Sequence, residues 1–398
     1  MNAFRLFNVL LFVCLLATSG WANNSDLVST SFQFMSHKIS VQYDPGMVFK
    51  DDICLKKKCF KRFYQRMAKA PYQVLMQCLE QTRESLQLPD WFFYQMVNKA
   101  AAEVIGKKDR LHQGLITWFL FNKMGYDARL AVTKGGDPFI YAFTLEEMSN
   151  AAPSFKDGAK HFINLTSIDL QYDTRRIDLY KADFIANEKG KGFQFRLTEA
   201  PKMEAEPVEK TIAFDWHDQE FNWMVKADRA YAELLKTYPK LSDVGYATTT
   251  ISTTLKESLY PQLQTLIEGK TTREALEILV SFTRRSFTLK SDWAVHDDDH
   301  PMYAEQLFFS EYSDHEDRCA LLYNLIKDLL DLPMVILTHY NNDMTIGVEW
   351  AEEADRLFEH KGKQYLICDP TVPARSSKVG AFPNGMTPMT TRVLATFE

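Results

Sequence analysis

The amino-acid sequence predicts an α+β protein in which helices pack on antiparallel sheets. Two observations carry that expectation. A helix-period stretch over residues 110–124 is followed by short strand-like runs at 128–132, 139–143 and 161–165. The same order returns near the C-terminus, where a helical stretch over 316–330 precedes runs at 334–337, 344–350 and 364–368. Sliding one copy by 206 positions, the distance from Leu115 to Leu321, also sets Leu120 on Ile326 and Met124 on Leu330. The sequence therefore predicts an internal duplication. The plainer alternative is that a helix followed by antiparallel strands is a common order.

The remaining elements follow in chain order. Residues 30–43 alternate in a way that fits one or two strands, and 59–88 has helical spacing interrupted only at Pro71. A further helix is expected over 91–105, and Gly125 is the stop signal for the helix of 110–124. Trp91, Phe92, Phe93, Trp118 and Phe119 are expected as core of this first copy. Residues 177–216 carry short alternating stretches and predict a small β-rich insert, after which 226–238, 252–268 and 272–286 look helical. Thr271, with Glu274 three residues on, forms a capping box for the last of these.

The N-terminus reads as a secretory signal peptide over residues 1–22. Arg5 gives a weakly basic start, an apolar stretch follows, and Gly20-Trp21-Ala22 supplies a small-x-small cleavage site. The apolar stretch is short for a retained membrane helix. The expected organisation is then a first module over 23–170, a middle region of strands and helices over 171–270, and a second module over 271–398. Five cysteines remain beyond the signal: Cys54, Cys59, Cys78, Cys319 and Cys368. Cys54 and Cys59 are placed to close a small disulfide in an oxidising compartment, with two free thiols as the alternative. A net charge of −6 and the lack of a long basic stripe argue against nucleic acid, and Lys56-Lys57-Lys58 is read as a solvated loop.

Chemistry concentrates at Asp314-His315-Glu316-Asp317-Arg318-Cys319, at the start of a helix. Asp343-Met344-Thr345 and Cys368-Asp369-Pro370-Thr371 lie downstream on strands. These motifs resemble the bacterial transglutaminase-like, papain-related proteins, over residues 271–398 and more faintly over the first copy. The resemblance implies a cysteine nucleophile at the helix start, where the helix dipole stabilises a thiolate. It further implies a histidine base on the next strand and an aspartate that orients it. Here the nucleophile position holds His315, the base position holds Asp343, and Asp369 alone fits. The resemblance thus implies an exported, catalytically inactive homologue, binding a peptide, protein or cell-envelope component in its C-terminal cleft.

Two rival readings keep an enzyme. In one, His315, Asp343 and Asp369 hold a divalent metal for hydrolysis of an amide bond; the plainer form is a hydrogen-bonded His315–Asp343 pair. In the other, Cys319, one helical turn beyond His315, is the nucleophile. Against it stands the expectation that Cys319 faces the core. His296-Asp297-Asp298-Asp299-His300, with nearby Trp293, is read as a solvated loop, His339 as a strand-end residue lining the groove, and Cys368 as core. In the first copy the place of His315 falls on Asp109, and that half does not look catalytic.

Overall fold

The computed structural model describes residues 11–13, 27–49, 53–148, 153–171, 178–181, 184–290, 301–339, 343–354, 356–371, 378–383, 386–387 and 390–398. The expected signal peptide lies outside them except for Leu11–Val13, a short strand (β1), and the loop from Trp293 to His300 lies wholly outside them. Among the described residues no helix is long and apolar enough to cross a membrane. The fold is α+β, in two compact units. The first comprises 1–195 and 201–203, the second 196–200 and 204–398. The expected middle region is therefore divided between the units.

In the first unit, Val28–Phe34 (β2) and His37–Tyr43 (β3) pair antiparallel, as the alternation at 30–43 foretold. The stretch 59–88 breaks around Pro71 into Lys57–Met67 (α1) and Gln73–Leu86 (α2). Asp90–Ile105 (α3) and Arg110–Lys123 (α4) follow, with Gly125 at φ +93° where the chain leaves the helix. Ala128–Thr133 (β4), Pro138–Thr144 (β5), Ser154–Asp157 (β6), Lys160–Asn164 (β7) and Leu179–Lys181 (β8) form one sheet. A short helix, Leu165–Asp169 (α5), follows β7. Strand order is β6-β7-β5-β4-β8, all neighbours antiparallel. Trp91, Phe92, Phe93, Trp118 and Phe119 are all buried, as expected of core. The indole of Trp118 donates to the carbonyl of Ala128 at 3.0 Å, so its one polar atom is satisfied.

The second unit opens with the hairpin Pro207–Trp216 (β9) and Gln219–Asp228 (β10). Lys226 to Asp228, read from sequence as the start of a helix, belongs to β10, and the helix Arg229–Lys236 (α6) begins only at the cap supplied by Asp228. Residues 193–197 are also not a strand: Phe193, Phe195 and Leu197 are buried in extended coil. Asp243–Ala247 (α7), Thr253–Ile267 (α8) and Thr272–Arg285 (α9) come next, and the Thr271–Glu274 capping box is formed. Thr288–Leu289 (β11) pairs with Tyr312–Ser313 (β12), which leads into His315–Leu330 (α10).

The second sheet is built from Met334–Thr338 (β13), Met344–Glu349 (β14), Phe358–His360 (β15), Lys363–Cys368 (β16) and Arg392–Phe397 (β17). Its order is β15-β16-β14-β13-β17, again all antiparallel. Counted from the helix before each sheet, both units have the same connectivity and strand order. One face of the second sheet packs Ile336, Ile346 and Leu366 against Leu321 and Leu325 of α10. Its other face buries Val335, Leu337, Tyr365 and Ile367.

A fully buried carboxylate ties the helical part of this unit together. Glu305 accepts from the backbone N–H of Asp228 (2.7 Å) through one oxygen and from that of Ser252 (2.8 Å) through the other. The hydroxyl of Ser252 donates to it as well, at 2.9 Å. It thereby joins the end of β10 to the start of α8, while burial raises its carboxyl to about 7. An amide at this position presents N–H to one of two backbone N–H groups. Glu305→Gln should lower stability by about 1–3 kcal/mol, the cost of a buried donor left unpaired, read from the urea midpoint at unchanged m-value.

Candidate functional site

The start of α10 is fixed by its own residues. Asp314 is the N-cap and accepts from the N–H of Asp317, whose carboxylate accepts in return from the N–H of Asp314. This reciprocal box satisfies two backbone donors and points the first turn toward the ends of β14 and β16. Arg318, buried at the next position, donates from Nε to the hydroxyl of Ser313 at 2.9 Å. Its remaining nitrogens reach the carbonyls of Arg284 (3.1 Å), Pro370 (3.3 Å) and Phe287. One guanidinium thus joins the end of α9, the start of α10 and the turn after β16. Burial pushes Arg318 down to about 10, still protonated at neutral pH.

On this frame His315 Nδ1 meets Asp343 Oδ1 at 2.9 Å, with both side chains about one-third exposed (32% and 34%). The plain hydrogen-bonded pair is therefore present. Asp369 stands at the end of β16 but is used differently from the expectation. One carboxylate oxygen accepts from the N–H (2.8 Å) and hydroxyl (2.6 Å) of Thr371, and its carbonyl accepts from Arg284 Nε at 2.7 Å. Among the described residues it makes no hydrogen bond to His315 or Asp343, because the Asp-Pro-Thr turn consumes it locally. Nor do three or more His, Cys, Asp or Glu side chains among the described residues group as a metal set. The expected His315–Asp343–Asp369 cluster is thus a pair plus a separate turn.

Cys319 is completely buried, and burial, added to the negative charges of Asp369, Glu316, Asp314 and Asp343, drives its thiol far above the ordinary range. A thiolate is the reactive form, so this cysteine is both shielded and protonated. Cys368 is buried as expected, and its thiol is pushed up to about 12, chiefly by burial. The Cys54–Cys59 disulfide is formed, and Cys78 is a buried cysteine outside it.

Glu316 was not singled out by sequence, and His339 is placed differently from the expectation. Glu316, half-buried beside Asp314, Asp317 and Asp343, is raised well above the usual carboxylate range, first by burial and then by the charge of Asp314. The surroundings of the His315–Asp343 pair are therefore acid-rich. His339, expected at a groove edge, is instead 7% exposed, with its N–H donating to the carbonyl of Asp343 at 3.0 Å. Among the described residues its buried ring Nδ1 has no hydrogen-bond partner, nor do the buried hydroxyls of Thr338 and Thr345 on the same pair of strands. Burial lowers its pKa, against the opposing pull of Asp343 and Asp369. A sequence signal for either feature is hard to see, since both depend on which carboxylates the fold brings close.

The first unit diverges at the equivalent place. Cap for cap, Asp109 stands with Asp314, because its carboxylate accepts from the N–H of His112. The place of His315 is thus taken by Arg110, one residue later than the sequence comparison had it. Five residues beyond each cap, Gly114 stands where Cys319 does. A Cβ on Gly114 would lie 2.3 Å from Pro138 at the start of β5, so α4 and β5 touch there without side chains between them.

Compared with protein-family models, with curated proteins and with solved structures, the chain finds no match. The reading of the site rests on its own geometry.

Two outcomes follow. Iodoacetamide at neutral pH should leave Cys319 unmodified in native protein and label it only after unfolding in urea, as read by peptide mass mapping; rapid native labelling would restore the thiol reading. For His339, the folded imidazole binds its proton less tightly than the unfolded one. Stability should therefore be fully present above about 6.5 and fall as pH drops below that value toward the folded pKa. The decline should be shallower in His339→Asn, measured as urea midpoint against pH.

Proposed function

We propose that the second unit is a transglutaminase-like, papain-related module that binds a polypeptide in its cleft without thiol catalysis, and that the first unit is a degenerate duplicate of it. The carrying observation is the His315–Asp343 pair at 2.9 Å, standing at the helix start and strand start where that chemistry needs a thiolate and an imidazole. An imidazole at the first position cannot form a thioester, and a carboxylate at the second cannot shuttle a proton at neutral pH. The buried Cys319 supplies no substitute. The shared strand order of the two sheets supports the duplicate origin.

The ligand chemistry follows from the charges at the cleft. Asp343 is a partly exposed carboxylate beside one imidazole, with the neutral acid Glu316 next to it, so basic side chains or a terminal amine of an extended chain are favoured over acidic ones. Arg318 and Arg284 do not reverse this, because both are buried and spent on carbonyls. Export, expected from the N-terminal residues, would place the ligand among polypeptides of the cell envelope.

Fluorescence anisotropy with a fluorescein-labelled lysine–alanine peptide should show salt-sensitive binding, and a glutamate–alanine peptide of equal length should not bind. Asp343→Asn should weaken the basic peptide about tenfold, or ~1.4 kcal/mol. Equal binding of the two peptides, or an unchanged affinity in the variant, would remove this place as the site.

A further inference from the structure

The charge of the chain is unevenly spread, and the structure puts its strongest cationic concentration on one helix. From Ile53 to Leu79 the sequence holds no aspartate or glutamate, yet it carries Lys56, Lys57, Lys58, Lys61, Arg62, Arg66 and Lys69 in a protein of net charge −6. All seven are exposed. They lie on or beside α1, whose opposite face buries Phe60, Phe63 and Met67. What reads in sequence as a short basic loop is in three dimensions a continuous basic ridge.

This ridge opposes the stability of its own helix. Lys56 is an N-cap with no side-chain cap bond, and the first turn holds Lys57 and Lys58 and no acidic residue, where the helix dipole disfavours positive charge. Lys57 with Lys61, Lys58 with Arg62, and Arg62 with Arg66 are like charges four residues apart, which repel. Among the described residues no carboxylate forms an ion pair with Lys56, Lys57, Lys58, Lys61, Arg62 or Lys69. The disulfide from Cys54 to Cys59, in the helix's first turn, holds the three lysines between them against the helix start. Several local rules broken together, with no compensating carboxylate among the described residues for six of the seven cations, mark a surface shaped for something outside it.

We infer that α1 is a docking ridge for the surface of an anionic lipid bilayer. Charge complementarity selects an anionic partner. The geometry selects a flat one, because the cations project from a convex helix and form no groove around a ligand. The apolar side chains of α1 are spent on the protein core, so attachment is electrostatic, peripheral and reversible by salt. A nucleic-acid duplex is less well suited. Outside this ridge the protein carries a net negative charge, which repels a polyanion of high charge density.

The test is flotation of the full chain with vesicles of phosphatidylcholine containing 30% phosphatidylglycerol, against phosphatidylcholine alone. Binding to the anionic vesicles at low ionic strength, and its loss at about 0.5 M salt where the Debye length is only a few Å, supports the inference. The variant Lys57→Gln/Lys58→Gln/Lys61→Gln/Arg62→Gln should bind at least ~100-fold more weakly, given the contribution of each basic residue near such a surface. Its melting temperature should stay level or rise, since the repulsion within α1 is relieved; a purely structural role for these residues predicts the opposite. Equal binding to both vesicle types, no binding to the anionic ones at low salt, or an unaffected variant would overturn it. Tighter binding to a double-stranded DNA oligonucleotide than to the vesicles would overturn it in favour of a nucleic-acid partner. The salt titration needs no variant, so it decides the matter even if the substituted protein fails to fold.

Discussion

The arrangement of the second unit depends on one buried guanidinium. Arg318 offers five N–H donors in a rigid plane, and the fold surrounds it with a hydroxyl and three carbonyls from separate segments. Those carbonyls belong to chain that has left regular structure, namely the end of α9 and the turn after β16, where no ladder or helix bond is available to them. A charged donor satisfies them more strongly than a neutral one. Because Arg318 sits one turn into α10, the clamp also fixes where that helix begins. The Asp314–Asp317 box sets the direction of entry, and the clamp sets its position. His315 meets Asp343 only because both are in place.

This organisation separates the scaffold of the site from its chemistry. The cap, the guanidinium and the Asp369 turn hold the helix start against the strand ends, whatever residue stands at 315. The pair that occupies the exposed position could change identity without disturbing them. Beneath it, the strand ends bury polar atoms at Thr338, His339 and Thr345 that have no hydrogen-bond partner among the described residues.

Much of the architecture was legible because it is written in periodicity and caps. The helices before both sheets, the strands after them and the Thr271–Glu274 box were each carried by apolar spacing or a local side-chain bond. What escaped was set by tertiary partners. Lys226 to Asp228 looked helical by composition, but β10 extends through them because the β9–β10 hairpin fixes its register. Its turn runs through His217 and Asp218, both at positive φ (47° and 63°), without the Asn-Gly or Asp-Gly signal that would have announced it. The meeting of His315 and Asp343 was legible, since both followed from the resemblance of the motif. The diversion of Asp369 was not, because a threonine two residues on carries no visible claim on it. Glu305 gave no signal at all: its partners are backbone N–H groups, which every sequence has.

The contact between Gly114 and Pro138 sets the first unit apart from the second at the start of the helix before the sheet. In the second unit the corresponding helix position carries the buried Cys319 side chain, and His315 and Asp343 are each about one-third exposed. In the first, helix backbone lies directly on a proline ring, with no Cβ to hold the two apart. Such a seam is closed at the level of the main chain, so surface substitutions around it leave it shut. Any side chain at position 114 would have to push α4 and the start of β5 apart, so this place is reserved for glycine.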